Sequence, residues 1–454
     1  VENTSDKFDN LQESNYDQFI LLDVEEPNLF RDQFQYDKIP KTVFNSGTVP
    51  MNMPDNIWIT DTTFRDGQQS RKPYTVEQIK HIYQCLHILG GPNGLIRQSE
   101  FFLYSKRDRD AVYECLSLGY SYPEVTSWIR ASKEDLELVK STGLKETGIL
   151  VSCSDYHIFW KMKMSRKQAM EHYLSLVRDC IEAGVRPRCH LEDITRADFY
   201  GFVIPFVRVL MKLSEETGVP IKIRACDTMG YGVTYPGAAL PRSVQGTMHS
   251  LTHNGNIPSH NLEWHGHNDF YHAVSNASYA WLYGASSVNT SLFGIGERTG
   301  NTPLEGMIFE YAQLRGTLNG MNLHAITELA DYFEKEIGYE IPPMTPFVGK
   351  NFNVTRAGIH ADGLLKNEEI YNTFDTAKIL NRPWRVIVSN TSGLAGIAHW
   401  LNTHYGKSGE SAYDKHHPSV IRIKDWVDTQ YENGRTTSIT DEELEIVSEM
   451  ILAE

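Results

Sequence analysis

The 454-residue chain is 41% apolar and 22% charged, enough for one large domain with appendages. Its formal net charge of −15 argues against a nucleic-acid partner, so an anionic ligand must be held locally by arginines, helix termini or a metal ion. No basic-then-apolar leader or long apolar span is present, and the six cysteines form no C-x-x-C pair, which leads us to expect a reduced, cytoplasmic protein without membrane association.

Residues 1–55 are polar, acidic and aromatic without sustained periodicity, and are read as an N-terminal arm. From Ile57 onward short β-rich runs alternate with helix-patterned runs, the signature of β-α units on a parallel sheet. Thr75 with Gln78 forms a capping-box pattern, Ile79, Ile82, Leu86 and Leu89 recur at helical spacing, and Gly90-Gly91 ends the helix. Residues 91–117, rich in charge and aromatics, read as an insertion. Further strands are predicted at 120–127, 148–153, 187–194, 221–227, 262–267 and 287–293. With the opening strand this makes seven, and an eighth is expected between 153 and 187 or beyond. Past residue 335 the alternation stops. A Pro-rich join at 341–346 lies in a linker subdomain over 336–375, and a smaller, mainly helical region fills 376–454, with Thr440 and Glu443 capping its last helix.

Polar residues gather at the predicted C-terminal ends of these strands: Arg65 and Asp66, Glu124, Glu192 and Asp193, Asp227 and Thr228, His265 and His267. A doubly wound sheet would collect them at one switch point, whereas a (β/α)8 TIM barrel draws on many strands, so an α/β barrel over 56–335 is the expected fold. His265 and His267, two apart in a strand, point to one side and can share an ion. With Asp66 they make a carboxylate and two imidazoles, a set suited to zinc, manganese, iron or cobalt that leaves coordination positions open for substrate. Glu192 could equally cap the following helix, and Thr228 could satisfy a turn amide.

The stretches Asp61-Thr62-Thr63-Phe64-Arg65-Asp66-Gly67, Tyr122-Pro123-Glu124-Val125-Thr126-Ser127, Glu192-Asp193, Cys226-Asp227-Thr228-Met229-Gly230, His265-Gly266-His267-Asn268-Asp269 and Gly294-Ile295-Gly296-Glu297-Arg298-Thr299-Gly300-Asn301 occur in an order that resembles the DRE-TIM metallolyases. Gly358-Ile359-His360-Ala361-Asp362-Gly363, followed by Tyr371, is similar to the element carrying the condensing base in the homocitrate synthase and 2-isopropylmalate synthase branch. The glycine loop lacks the cysteine expected of the lyase that cleaves hydroxymethylglutaryl-CoA.

The resemblance implies a divalent metal on Asp66, His265 and His267, with manganese or cobalt ranked ahead of magnesium or zinc. It implies catalytic roles for Arg65, Glu192, His360, Asp362 and Tyr371, with Asp362, or Glu192 beside it, orienting His360 as the base that deprotonates acetyl-CoA. Gln69, Glu124, Arg188, His190 and Thr228 are the expected substrate contacts. The family's C-terminal subdomain also implies a homodimer in which His360 serves the neighbouring site. Arg188, His190 and Phe293 favour a 2-oxo dicarboxylate over a branched apolar oxo acid. Oxaloacetate, giving citrate and CoA, is expected first, then 2-oxoglutarate, then the substrates of 2-isopropylmalate and citramalate synthases. A metal-dependent aldolase or lyase is the alternative of another class.

Overall fold

The computed structural model describes residues 37–38, 51–238 and 240–453. Most of the arm read over 1–55 therefore lies outside the described residues.

Eight parallel strands close into a barrel in sequence order, β1 (Trp58–Asp61), β2 (Ile96–Phe101), β3 (Glu124–Ile129), β4 (Glu146–Ser152), β5 (Arg186–Glu192), β6 (Lys222–Asp227), β7 (Leu262–Gly266) and β8 (Ser287–Thr290). Pairing of β1 with β8, from Trp58 opposite Ser287 to Asp61 opposite Thr290, completes the ring. Each strand is followed by a helix: α1 (Val76–Gly90), α2 (Lys106–Ser117), α3 (Lys133–Thr142), α4 (Arg166–Glu182), α5 (Ile204–Thr217), α6 (Val244–His249), α7 (Ala273–Leu282) and α8 (Leu304–Arg315). The capping box expected at Thr75 is formed, with the Thr75 side chain accepting from the Gln78 amide. Apolar faces of the helices and the outward faces of the strands make one core, in which Ile79, Ile82, Leu86 and Leu89 of α1 are buried.

Two sequence expectations fail here. Residues 91–117 are not an insertion: they supply β2 and α2, and β2 is the eighth strand, not a segment between 153 and 187 or beyond. Its sequence, Ile-Arg-Gln-Ser-Glu-Phe, lacks an apolar alternation because the barrel interior it faces is itself charged. Likewise β3 starts at Glu124, so this residue stands at the N-terminal rim, away from the strand ends that carry the site. There its carboxylate takes the Gln98 amide at 2.8 Å and pairs with Arg186, the first residue of β5.

Beyond the barrel come α9 (His324–Tyr332), α10 (Gly358–Lys366), α11 (Thr376–Leu380), α12 (Leu394–His404), α13 (Pro418–Glu432) and α14 (Asp441–Leu452), with a two-stranded sheet of β9 (Val354–Thr355) and β10 (Arg385–Val386). Val388, before α12, joins Ile397, Leu401, Val420, Ile423, Val427 and Leu444 of α12, α13 and α14 in a separate apolar cluster. Thr440 and Glu443 complete the capping box of α14. No described helix is long and apolar enough to cross a membrane.

Candidate active site

A single helical turn, Asp66–Gln69, follows β1 and places the Asp66 carboxylate over the C-terminal mouth of the barrel. From β7, His265 Nε2 reaches to 3.4 Å and His267 Nε2 to 4.0 Å of Asp66 Oδ2. His265 Nδ1 meets Asn289 Oδ1 on β8 at 2.8 Å, so Nδ1 carries the proton and the Nε2 lone pair faces Asp66.

All three residues are buried, one ligand atom from each lies within 4.8 Å of the others, and Asp66 Oδ2 accepts no hydrogen bond. A buried carboxylate oxygen that accepts no hydrogen bond and faces an imidazole lone pair suits a cation, and the donor set fits a divalent metal ion. Burial raises the Asp66 carboxyl, but Arg65, His265, His267 and Arg224 outweigh it and hold it down at about 2. Burial also lowers both imidazoles, His267 to about 4, so all three are in ligand form near neutrality.

Arg65 flanks the carboxylate at 3.2 Å. Its guanidinium carbon lies 4.3 Å from the centroid of the Trp128 ring, which fixes a cation beside the metal position. The cleft is about 230 Å³ and is lined by Arg65, Asp66, Gln69, Trp128, Leu150, His190, Glu192, Arg224, Cys226, Thr228, His265, His267, Glu297 and Arg298. Gln69, Glu297 and Arg298 also border an adjoining cavity of about 920 Å³ along the glycine loop.

Beneath the cleft the barrel is filled by ion pairs rather than by apolar layers. Glu100 of β2 lies 2.6 Å from Arg188 and 3.1 Å from Arg224, and Glu146 lies 3.0 Å from Arg188. Glu263 takes a 2.5 Å hydrogen bond from Arg224 Nε. Burial penalises these carboxylates, yet the arginines pull Glu263 down to about 2 and Glu100 below its ordinary value. Gly148 makes room for this layer, because a Cβ there would stand 2.5 Å from His190 Nε2.

The predicted site residues divide into three groups. Arg65, Asp66, His265, His267, Gln69, His190, Glu192 and Thr228 meet around the cleft. Glu192 is bound by Ser152, His157 and Lys161, which overcome burial and hold it at about 2. Arg188 does not line the cleft; it is consumed below it, donating to His190, Gln98, Glu146, Glu100 and Thr126. Glu124, at the opposite rim, is the second residue outside. The third group is His360, Asp362 and Tyr371, none of which lines this chain's cleft. His360 and Tyr371 are exposed, with ring centroids 4.4 Å apart, and share a separate cavity with Asn353 and Trp384. Asp362 does not orient His360, because Lys366 at 2.6 Å and Lys415 at 2.8 Å take its carboxylate.

Sequence reasoning missed Glu100, Trp128, Arg224 and Asn289. Arg224 had a local signal: it lies two residues before Cys226 and so shares that residue's face of β6.

Residues 56–333, the whole barrel, match the HMGL-like family. The chain is 60% identical over 98% of both sequences to a citrate (Re)-synthase of Clostridium kluyveri. It is 56% identical to a citrate (Re)-synthase of Syntrophus aciditrophicus, over 96% of this chain and 69% of that one. A 2-phosphinomethylmalate synthase of Streptomyces hygroscopicus is 37% identical over 94% of this chain and 97% of its own. Among solved structures, a Bacillus subtilis HMG-CoA lyase superposes with a TM-score of 0.50 at 20% identity, over 64% of this chain and 97% of that one, which speaks for the barrel fold alone. The closed eight-stranded barrel, its rim-borne aspartate and paired histidines, and the match along its length agree: the chain belongs to the HMGL-like family, the DRE-TIM barrels that its motifs resemble.

Proposed function

We propose that this chain is a Re-type citrate synthase, condensing acetyl-CoA with oxaloacetate and water to give citrate and CoA. The observation that carries the reading is the convergence of Asp66, His265 and His267 beside Arg65, in a chain 60% identical throughout to a citrate (Re)-synthase.

Asp66, His265 and His267 hold a divalent ion, manganese or cobalt before magnesium or zinc, which when bound polarises the 2-oxo group as a Lewis acid. Arg65, clamped between Trp128 and Asp66, presents fixed positive charge to the oxygen on which negative charge develops. The adjoining glycine-loop cavity offers room for the CoA thioester. His360 removes the methyl proton with Tyr371 at its side, and their exposure on α10 and the loop after it fits a cytoplasmic homodimer in which they enter the partner's cleft. Hydrolysis of the resulting thioester makes the reaction irreversible.

The test is CoA release by the purified protein with manganese or cobalt and, in turn, oxaloacetate, 2-oxoglutarate, 2-oxoisovalerate and pyruvate. Oxaloacetate should be preferred. A preference for 2-oxoglutarate would make the protein a homocitrate synthase, and turnover surviving exhaustive chelation would remove the metal-dependent reading altogether.

A further inference from the structure

We infer that Arg224 is the residue that holds the distal carboxylate of the 2-oxo dicarboxylate, the task that its neighbour Arg188 would be expected to perform. The inference rests on the proposed condensation and names its specificity residue.

Arg188 has no nitrogen to offer, since all three donate to His190, Gln98, Glu146, Glu100 and Thr126. Arg298 at the mouth is pinned by Asp269 at 2.8 Å and by the Thr228 carbonyl at 2.6 Å. Arg65 also has a buried Nε without a hydrogen bond, but it stands beside Asp66, level with the metal ligands. Arg224 lies below it. Its Nε donates to Glu263 and its Nη1 to Glu100, but its Nη2 is buried without any hydrogen-bond partner, and the residue lines the cleft. A guanidinium only 1% exposed that lines a polar cleft and keeps one nitrogen unanswered is suited to an anionic acceptor.

Register places it well. Cys226 pairs with His265, so Arg224, two residues earlier, sits one side-chain layer below the metal ligands, about 6.6 Å along the strand. An oxo acid whose 2-oxo end lies in the metal layer can extend its far end down to Arg224.

Calorimetric binding of oxaloacetate and of pyruvate, which lacks the distal carboxylate, to manganese-loaded wild type and Arg224→Lys tests this. The variant should lose about 100-fold in oxaloacetate affinity and keep pyruvate affinity within about threefold. Equal losses for both acids, or no loss, would overturn the inference. Should the variant not fold, a crystal structure of the manganese-loaded wild type with oxaloacetate decides: the distal carboxylate on Arg224 Nη2 supports the inference, and on Arg188 or Arg298 it rejects it. Wild type that turns over no 2-oxo dicarboxylate would instead bring down the proposed condensation together with this inference.

Discussion

His265 turns Nε2 to within 3.4 Å of Asp66 Oδ2, from a strand separated from β1 by β8. The intervening strand acts on this contact, because its Asn289 takes the Nδ1 proton and aims the ring. Replacing Asn289 with Ala is expected to lower manganese affinity about 10- to 100-fold without unfolding the barrel. Asp66→Asn should abolish stoichiometric binding. Calorimetric titration of the metal-free protein measures both.

Arg65 is stacked on Trp128 and lies 3.2 Å from Asp66, and the proposed condensation gives it the developing negative charge to stabilise. Arg65→Ala should lower kcat about 100- to 1000-fold, while KM for oxaloacetate changes far less. Steady-state CoA release checks the split, and a loss confined to KM would assign Arg65 to ground-state binding.

If His360 serves the partner's cleft, two inactive variants should complement each other. Asp66→Ala and His360→Ala, mixed as unfolded chains in equal amounts and refolded together, should recover on the order of a quarter of wild-type activity, since half of the dimers then contain one intact site. Each variant refolded alone should stay inactive. A mixture that stays inactive would show that both groups serve the same chain.

Glu305 supplies a pH signature of folding. It is buried, accepts the Phe293 amide at 3.0 Å, and burial raises its carboxyl from 4.5 to about 7. A carboxyl raised on folding contributes stability that is fully present below pH 4.5 and is lost as pH rises through about 7. Asp61 and Asp227, raised by burial to about 6, act in the same sense. Glu192 and Glu263, held at about 2, act in the opposite sense, their contribution being lost as pH falls toward that value. Melting of Glu305→Gln followed from pH 4.5 to 8 should therefore decline less than that of wild type, by a difference on the order of 3 kcal/mol across the window. Parallel curves would refute the assignment.

The convergence of Asp66, His265 and His267 was legible in the sequence because its signals are local: His265 and His267 share a face by strand alternation, and Arg65-Asp66 follows the opening strand. The helices were equally readable, with the capping boxes at Thr75 and Thr440 both formed. β2 escaped because strand recognition relies on apolar alternation. A strand whose inward residues are Gln98 and Glu100 shows that pattern only to a reader who already knows that Arg188 and Arg224 wait inside the barrel.

The two arginines mark the boundary between sequence and tertiary structure. Arg188 and Arg224 are both buried interior residues of neighbouring strands, and local sequence cannot tell which one lines the cleft. That choice depends on how Glu100, Glu146 and Glu263, brought in from three other strands, share out guanidinium nitrogens. Chain order alone therefore determined the barrel and its ligand-bearing strand ends, through periodicities of two and 3.6 residues. Only the closed ring decided which of these two arginines keeps a free donor, because hydrogen-bond partners are allotted in three dimensions and each donor can be satisfied by only one arrangement at a time.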